Sequence, residues 1–179
     1  MWSGLNAVNY KTQSARKAQS KIAAGRLWHL NLRYHFFERK AAMFDTQFTI
    51  AMWCMVIAMF LPYTSATIAK AGGFGKKRNE GGFDNNNPRE WLAKLTGHQA
   101  RANAAQYNAF ESLPFFYAAV IVAHYLQANQ GYLDILCMVW ISLRVLYLML
   151  YIADQANMRS VIWFLALLVN IWIFFLGYR

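Results

Sequence analysis

The amino-acid sequence predicts an all-α integral membrane four-helix bundle preceded by a basic N-terminal extension. Three observations carry that expectation. Hydrophobic residues make up 58% of the 179 positions and charged residues only 15%, where a soluble domain carries about a quarter charged residues. The charges are bunched at residues 11–45 and 70–101, which leaves long runs almost free of them. Those runs have the length of spans, since roughly 20 helical residues cross about 30 Å of hydrocarbon, and no strand pattern competes.

The extension is expected over residues 1–43. Its first 42 residues hold eight Lys or Arg and a single acid, Glu38, and its apolar residues (Leu27, Trp28, Leu30, Phe36, Phe37 among them) are broken by charges. No continuous apolar stretch precedes Met43, so this is not a conventional secretory signal. Two expectations stand side by side: a basic interfacial helix or docking arm, and a solvated tail or a start displaced to Met43. The membrane domain is expected over 44–179, with spans at about 46–69, 102–127, 132–153 and 159–177. Inside lipid each must satisfy its own backbone by helical bonding. The connection 70–101 is long and polar, with Gly, Asn and Pro as breakers. Connections 127–131 and 154–158 are short, so the helices they join are antiparallel.

Four spans put the tail, the 127–131 connection and the C-terminus on one side. Lys70, Lys76, Lys77, Arg78, Arg89 and Lys94 lie on the other, and positive charge marks the cytoplasmic face. The expected topology is therefore loop inside and tail outside. The expected location is a bacterial inner (cytoplasmic) membrane, or an organelle membrane in a eukaryote. Cys54 and Cys137 fall within spans without any CxxC or disulfide framework, so both are expected to be small buried residues. His29, His35, His98 and His124 are scattered, and no metal site is expected. The net charge of +10 comes with no nucleic-acid recognition motif. Basic residues flanking spans point instead to lipid headgroups or a small anion.

The candidate site lies on the second predicted helix. Glu111 sits inside an otherwise apolar stretch, Gln106 to Leu126, where a carboxylate costs about 2.5–3.5 kcal/mol on insertion scales. Such a group is tolerated when it faces a partner or a polar cavity. Arg101, Asn108 and Glu111, seven and three residues apart, share one helical face. Ala100, Ala102, Ala104, Ala105 and Ala109 keep the early part of this helix thin, which lets neighbours approach closely. On the third helix Arg144, Tyr147 and Tyr151 share a face, with Asp154 at its loop-side end; Arg159 then opens the fourth. Polar groups from three helices should converge towards one leaflet. A plain architectural ion pair between Arg144 and Glu111 accounts for part of this pattern, and Asp154 is expected to cap its connection or to pair with Arg159. His124 reads as a satisfied interhelical polar group. Trp53, Trp140, Trp163 and Trp172 read as packing or interface anchors.

The segment Arg101-Ala102-Asn103-Ala104-Ala105-Gln106-Tyr107-Asn108-Ala109-Phe110-Glu111-Ser112-Leu113-Pro114-Phe115-Phe116 resembles the signature of the MAPEG family, the membrane-associated proteins in eicosanoid and glutathione metabolism. Tyr147 and Tyr151 followed by Arg159-Ser160 resemble that family's second signature, and the long first loop with Asn87-Pro88-Arg89 fits as well. The resemblance spans about residues 44–179 and is closest to the small bacterial-type members. It implies a homotrimer embedded in lipid, with binding sites at subunit interfaces opening to the cytosolic side, and glutathione as cosubstrate. It implies that Asn108 and Glu111 hold the peptide, the carboxylate taking the glutathione amino group, with Arg101 and Gln106 as further polar contacts and Tyr147 and Tyr151 as pocket tyrosines. Arg159 matches the catalytic arginine that stabilises the thiolate. An arginine keeps its charge when partly desolvated, and a nearby cation favours the thiolate of a thiol whose ordinary pKa is about 8.5.

One position departs from the pattern: the eukaryotic members carry an arginine seven residues before the glutamate, and here that position is Ala104. Lys94 or Arg101 are the candidate substitutes. Three functional classes follow. The first is a glutathione-dependent transferase or peroxidase acting on lipophilic electrophiles. The second is a non-catalytic accessory or scaffold subunit of a larger membrane assembly. The third is a small proton-coupled multidrug transporter with Glu111 as its essential carboxylate.

Overall fold

The computed structural model describes residues 48–178; the N-terminal extension, with its expected interfacial helix, lies outside them. Five helices follow in order: α1 (Ile50–Lys70), a short α2 (Pro88–Ala93), α3 (Gly97–Tyr125), α4 (Gln130–Ile152) and α5 (Ala156–Phe175). No strand occurs among the described residues. α1, α3, α4 and α5 are the bundle, with α1 packed chiefly on α3 and α5 on α4.

Three of these four are long and apolar enough to cross a membrane: α1 with the turn after it (Ile50–Gly73), α4 and α5. α3 is the longest at 29 residues but does not qualify on composition, because its first half carries Gln99, Arg101, Asn103, Gln106, Asn108 and Glu111. α3 also begins at Gly97, five residues before the expected 102, since packing extends a helix beyond what local propensity supports.

Small residues set the packing. On α1 the buried seam is Ala51, Cys54, Ala58, Pro62, Ser65 and Ala69, and on α3 it includes Ala102, Ala105 and Ala109. Their spacing of three and four residues keeps each seam on one face, and thin seams allow close helix contact. Phe116 of α3 stacks flat on Trp140 of α4, with ring centroids 3.8 Å apart. Cys54 and Cys137 are both buried.

The helix ends explain the short connections. Asn129 caps α4, accepting from the Tyr132 N–H at 3.2 Å. α3 and α4 both end with a paired hydrogen-bond closure, Ala128 N–H to Ala123 O and Gln155 N–H to Leu150 O (3.0 Å each). The residues at the turning point, Gln127 and Asp154, adopt positive φ of 54° and 63°, where glycine is the usual choice. At the same end of the bundle as Gln127, Thr49 caps α1, accepting from Met52 N–H at 3.2 Å. Asp134 of α4 reaches across to accept the Ala51 N–H at 2.8 Å and is itself steadied by Gln130 Nε2 at 2.7 Å. His124 ties into this end as an interhelical polar group, its Nδ1 2.9 Å from Val120 O and its Nε2 3.5 Å from Thr49 Oγ1. Replacing Asp134 with alanine is therefore expected to cost about 1 kcal/mol, the usual value of a helix-start acceptor. The thermal midpoint in detergent should fall and hydrogen exchange at the Ala51 amide should quicken, while Asp134→Asn keeps most of both.

The long connection is folded rather than slack. Lys70 lies over the Phe83 ring at 4.7 Å, and Phe83 meets Trp91 edge-on at 5.2 Å. The Phe83 N–H bonds back to Gly73 O at 3.1 Å. Gly82 passes so close to the Lys76 carbonyl that no side chain would fit there. Arg78 donates to Asp84, and this bond, with the Asn86 N–H at 3.0 Å, holds the Asp84 carboxyl below the usual carboxylate range. The loop thus caps the loop-side end of α1.

Candidate functional site

α3, α4 and α5 border a half-open cavity of about 340 Å³ whose walls include Asn108, Glu111, Trp140, Arg144, Trp163 and Asn170. The shared helical face expected for Asn108 and Glu111 thus opens on this space. Arg144 is the buried charge of the site, only 4% exposed. It does not form an ion pair with Glu111. Its Nη2 donates instead to Asn108, to Oδ1 at 2.9 Å and to the backbone carbonyl at 3.3 Å. Asn108 lies one turn earlier on the same face and offers two acceptors, whereas Glu111 stands exposed at the cavity's rim. The guanidinium also lies over Tyr147 at 4.6 Å and Trp140 at 5.9 Å, a placement that the negative ring faces favour.

From Arg144 a run of contacts leads towards the loop side. Tyr147 meets Tyr151 edge-on at 5.6 Å, and Arg159 lies over the Tyr151 ring at 4.1 Å. Glu111 lines the same cavity as Asn108 and Arg144, at the other end of this run. Arg159 sits in the first turn of α5, its N–H bonded to Gln155 O at 2.9 Å. Polar groups from three helices do converge.

Arg101 stands apart. Its Nε donates to Ile152 O at 3.0 Å and its Nη1 is 3.4 Å from Asp154. Asp154 therefore pairs with Arg101, not Arg159, and Arg101 pins the end of α4 to α3. It is not a free substitute for the missing arginine at Ala104. Lys94, the other candidate, is exposed and lines a separate loop cavity of about 460 Å³ with Lys76 and Arg78. Gln106 is half-buried on α3 and does not line the main cavity. Of the tryptophans, Trp140 is core, Trp163 borders the cavity, and Trp53 and Trp172 lie exposed on the outside. Among the described residues no group of three or more His, Cys, Asp or Glu could hold a metal ion.

Two side chains of consequence were not singled out from sequence. Asp134 anchors α1, as described. Asn170 lines the cavity from α5, is only 9% exposed, and its Oδ1 has no hydrogen-bond partner among the described residues. The signal for Asn170 was available: an amide in the run Val161–Ile173 is as anomalous as a carboxylate at 111.

The family model of the MAPEG family matches residues 50–178. Neither a search of curated proteins nor one of solved structures returns a match. The match takes in every described helix and both signatures, and the chain is a membrane protein belonging to the MAPEG family.

Proposed function

We propose that this protein is a glutathione-dependent transferase or peroxidase acting on lipophilic electrophiles, working as a homotrimer. The observation that supports it most is the linked run Arg159–Tyr151–Tyr147–Arg144–Asn108, with Glu111 on the same cavity as Asn108 and Arg144. It supplies cations for the peptide's carboxylates and thiolate, and one carboxylate for its amino group. The cavity beside it has predominantly apolar walls suited to a hydrocarbon-rich second substrate. In the transferase reaction the glutathione sulfur forms a bond to an electrophilic carbon, and the displaced electron pair leaves with the departing group or moves onto the acceptor. The protein's part is positioning and electrostatic stabilisation of the sulfur.

Equilibrium dialysis of glutathione against the detergent-solubilised chain tests the reading. The wild type should bind saturably. Glu111→Gln should bind roughly tenfold or more weakly, as loss of a charge-assisted hydrogen bond requires. No saturable binding at millimolar glutathione overturns it. A second reading, a non-catalytic accessory subunit, is favoured by one feature: Ala104 stands where an arginine is expected, and Arg101 is already engaged by Asp154 and Ile152. Stoichiometric partners that co-purify with a chain unable to bind glutathione would support it.

A further inference from the structure

We propose that Arg101 and Asp154 form a latch that places Arg159 over Tyr151, so that both act as positioning residues for the thiolate chemistry and neither touches substrate. The latch closes on the turn between α4 and α5. Asp154 holds a positive φ of 63°, a conformation that glycine adopts without strain and that aspartate tolerates. Its carboxylate lies 3.4 Å from Arg101 Nη1, and Arg101 Nε donates to Ile152 O at 3.0 Å. That carbonyl is among the last of α4, a group that a helix end leaves without an intrahelical donor. One guanidinium from α3 therefore grips the turn at a side chain and at the backbone.

The gripped residues are bonded in their turn to the two residues of the site. The Asp154 N–H donates to Tyr151 O at 3.3 Å, and the next carbonyl, Gln155 O, accepts the Arg159 N–H at 2.9 Å. Arg159 then lies over the Tyr151 ring at 4.1 Å. Among the described residues no side chain caps the start of α5, so its first turn takes its place from this connection and from packing. Arg101 itself does not line the main cavity; it acts through the turn. Misplacing a reacting group by about 1 Å costs roughly a hundredfold in rate, so a small slip of the turn matters to Arg159. The pair does little else: the Asp154 side chain is 71% exposed, and an exposed ion pair adds little to stability. Its removal should disturb the site more than the melting point.

The chemistry of this inference rests on the proposed glutathione reading, yet the placement is read without glutathione, so the two fail separately. In the full chain in detergent, carrying isotope-labelled arginine, the Arg159 side-chain protons should resonate upfield, displaced by the Tyr151 ring. Tyr151→Leu identifies the signal by returning it to its ordinary position. Arg101→Gln and Asp154→Asn should each lose most of the displacement with the thermal midpoint nearly unchanged. Asp154→Gly, which eases the backbone but has no carboxylate, should lose it as well; Arg101→Lys, which keeps the charge, should recover part. A displacement that survives Arg101→Gln and Asp154→Asn overturns the proposal. With glutathione present, both variants should raise the midpoint of the thiolate titration and lower turnover by up to about a hundredfold. Neither should add to the effect of Arg159→Ala, since side chains acting through one another are not additive. Full additivity would make Arg101 a direct contact of the peptide and overturn the assignment. A wild type that binds no glutathione sinks the chemistry and leaves the ring-induced displacement to decide the latch.

Discussion

Replacing Asn108 with leucine is expected to destabilise the bundle by about 3 kcal/mol, at the lower edge of what breaking a buried charged pair costs. Arg144 is almost fully buried and its Nη2 donates to Asn108 twice, at 2.9 and 3.3 Å. Leucine removes the side-chain acceptor and leaves the guanidinium with one backbone carbonyl and the ring faces of Tyr147 and Trp140. Arg144→Met should be milder, by about 1 kcal/mol, because an apolar side chain of similar volume removes the charge that needed a partner. The combined Asn108→Leu and Arg144→Met variant should then be more stable than Asn108→Leu alone, a non-additivity expected of side chains in contact. Unfolding in detergent micelles reads all three. A leucine variant no weaker than the methionine variant would show that the pair does not hold the helices. Glu111→Gln should leave stability nearly unchanged, since this carboxylate is exposed and is not paired with Arg144. On the proposed function, architecture and binding thus separate onto neighbouring residues, Asn108 serving the first and Glu111 the second.

That separation marks where sequence reasoning reaches and where it stops. The long helices were legible because uninterrupted apolar runs of span length leave few alternatives. The faces were legible too: spacings of three, four and seven residues put Asn108 with Glu111, and Arg144 with Tyr147 and Tyr151, on common sides. Which residue on one face meets which on another was not. The net charges suggested Arg144 with Glu111 and Asp154 with Arg159, whereas the observed pairs are Arg144 with Asn108 and Asp154 with Arg101. Partner choice depends on the axial offset between helices and on side-chain direction, and neither is written in a single helix. Asp134 was missed for the same reason, since its partner is the start of α1, 83 residues away. Asn170 is different. The reasoning that singled out Glu111, a polar group inside an apolar run, applies equally to it and needed only to be carried through.

On the proposed glutathione chemistry, Arg159→Ala is expected to raise the pKa of bound glutathione thiol and to lower turnover at neutral pH by about 10²–10³-fold, the range for losing one electrostatic stabiliser. The sign follows from charge. A cation beside the sulfur favours the thiolate and lowers the thiol pKa, so removing it moves the titration upward, towards the unperturbed value of about 8.5. On the proposed reading Arg159 can do this because its guanidinium stands over Tyr151 at 4.1 Å, half-buried near the loop-side end of α5, and Tyr151 in turn meets Tyr147 edge-on. Thiolate absorbance recorded against pH in the presence of glutathione should show the midpoint rise in Arg159→Ala. Arg159→Lys should restore part of the shift, since it keeps charge but loses the guanidinium placed over Tyr151. The rate deficit of the alanine variant should shrink as pH approaches 9, where the thiol ionises without help; a deficit constant across pH would mean that Arg159 orients the peptide rather than stabilising its sulfur. An unchanged midpoint in Arg159→Ala, with glutathione still bound, would remove Arg159 from the chemistry and leave Arg144, the other cation of the run, as the group to replace next.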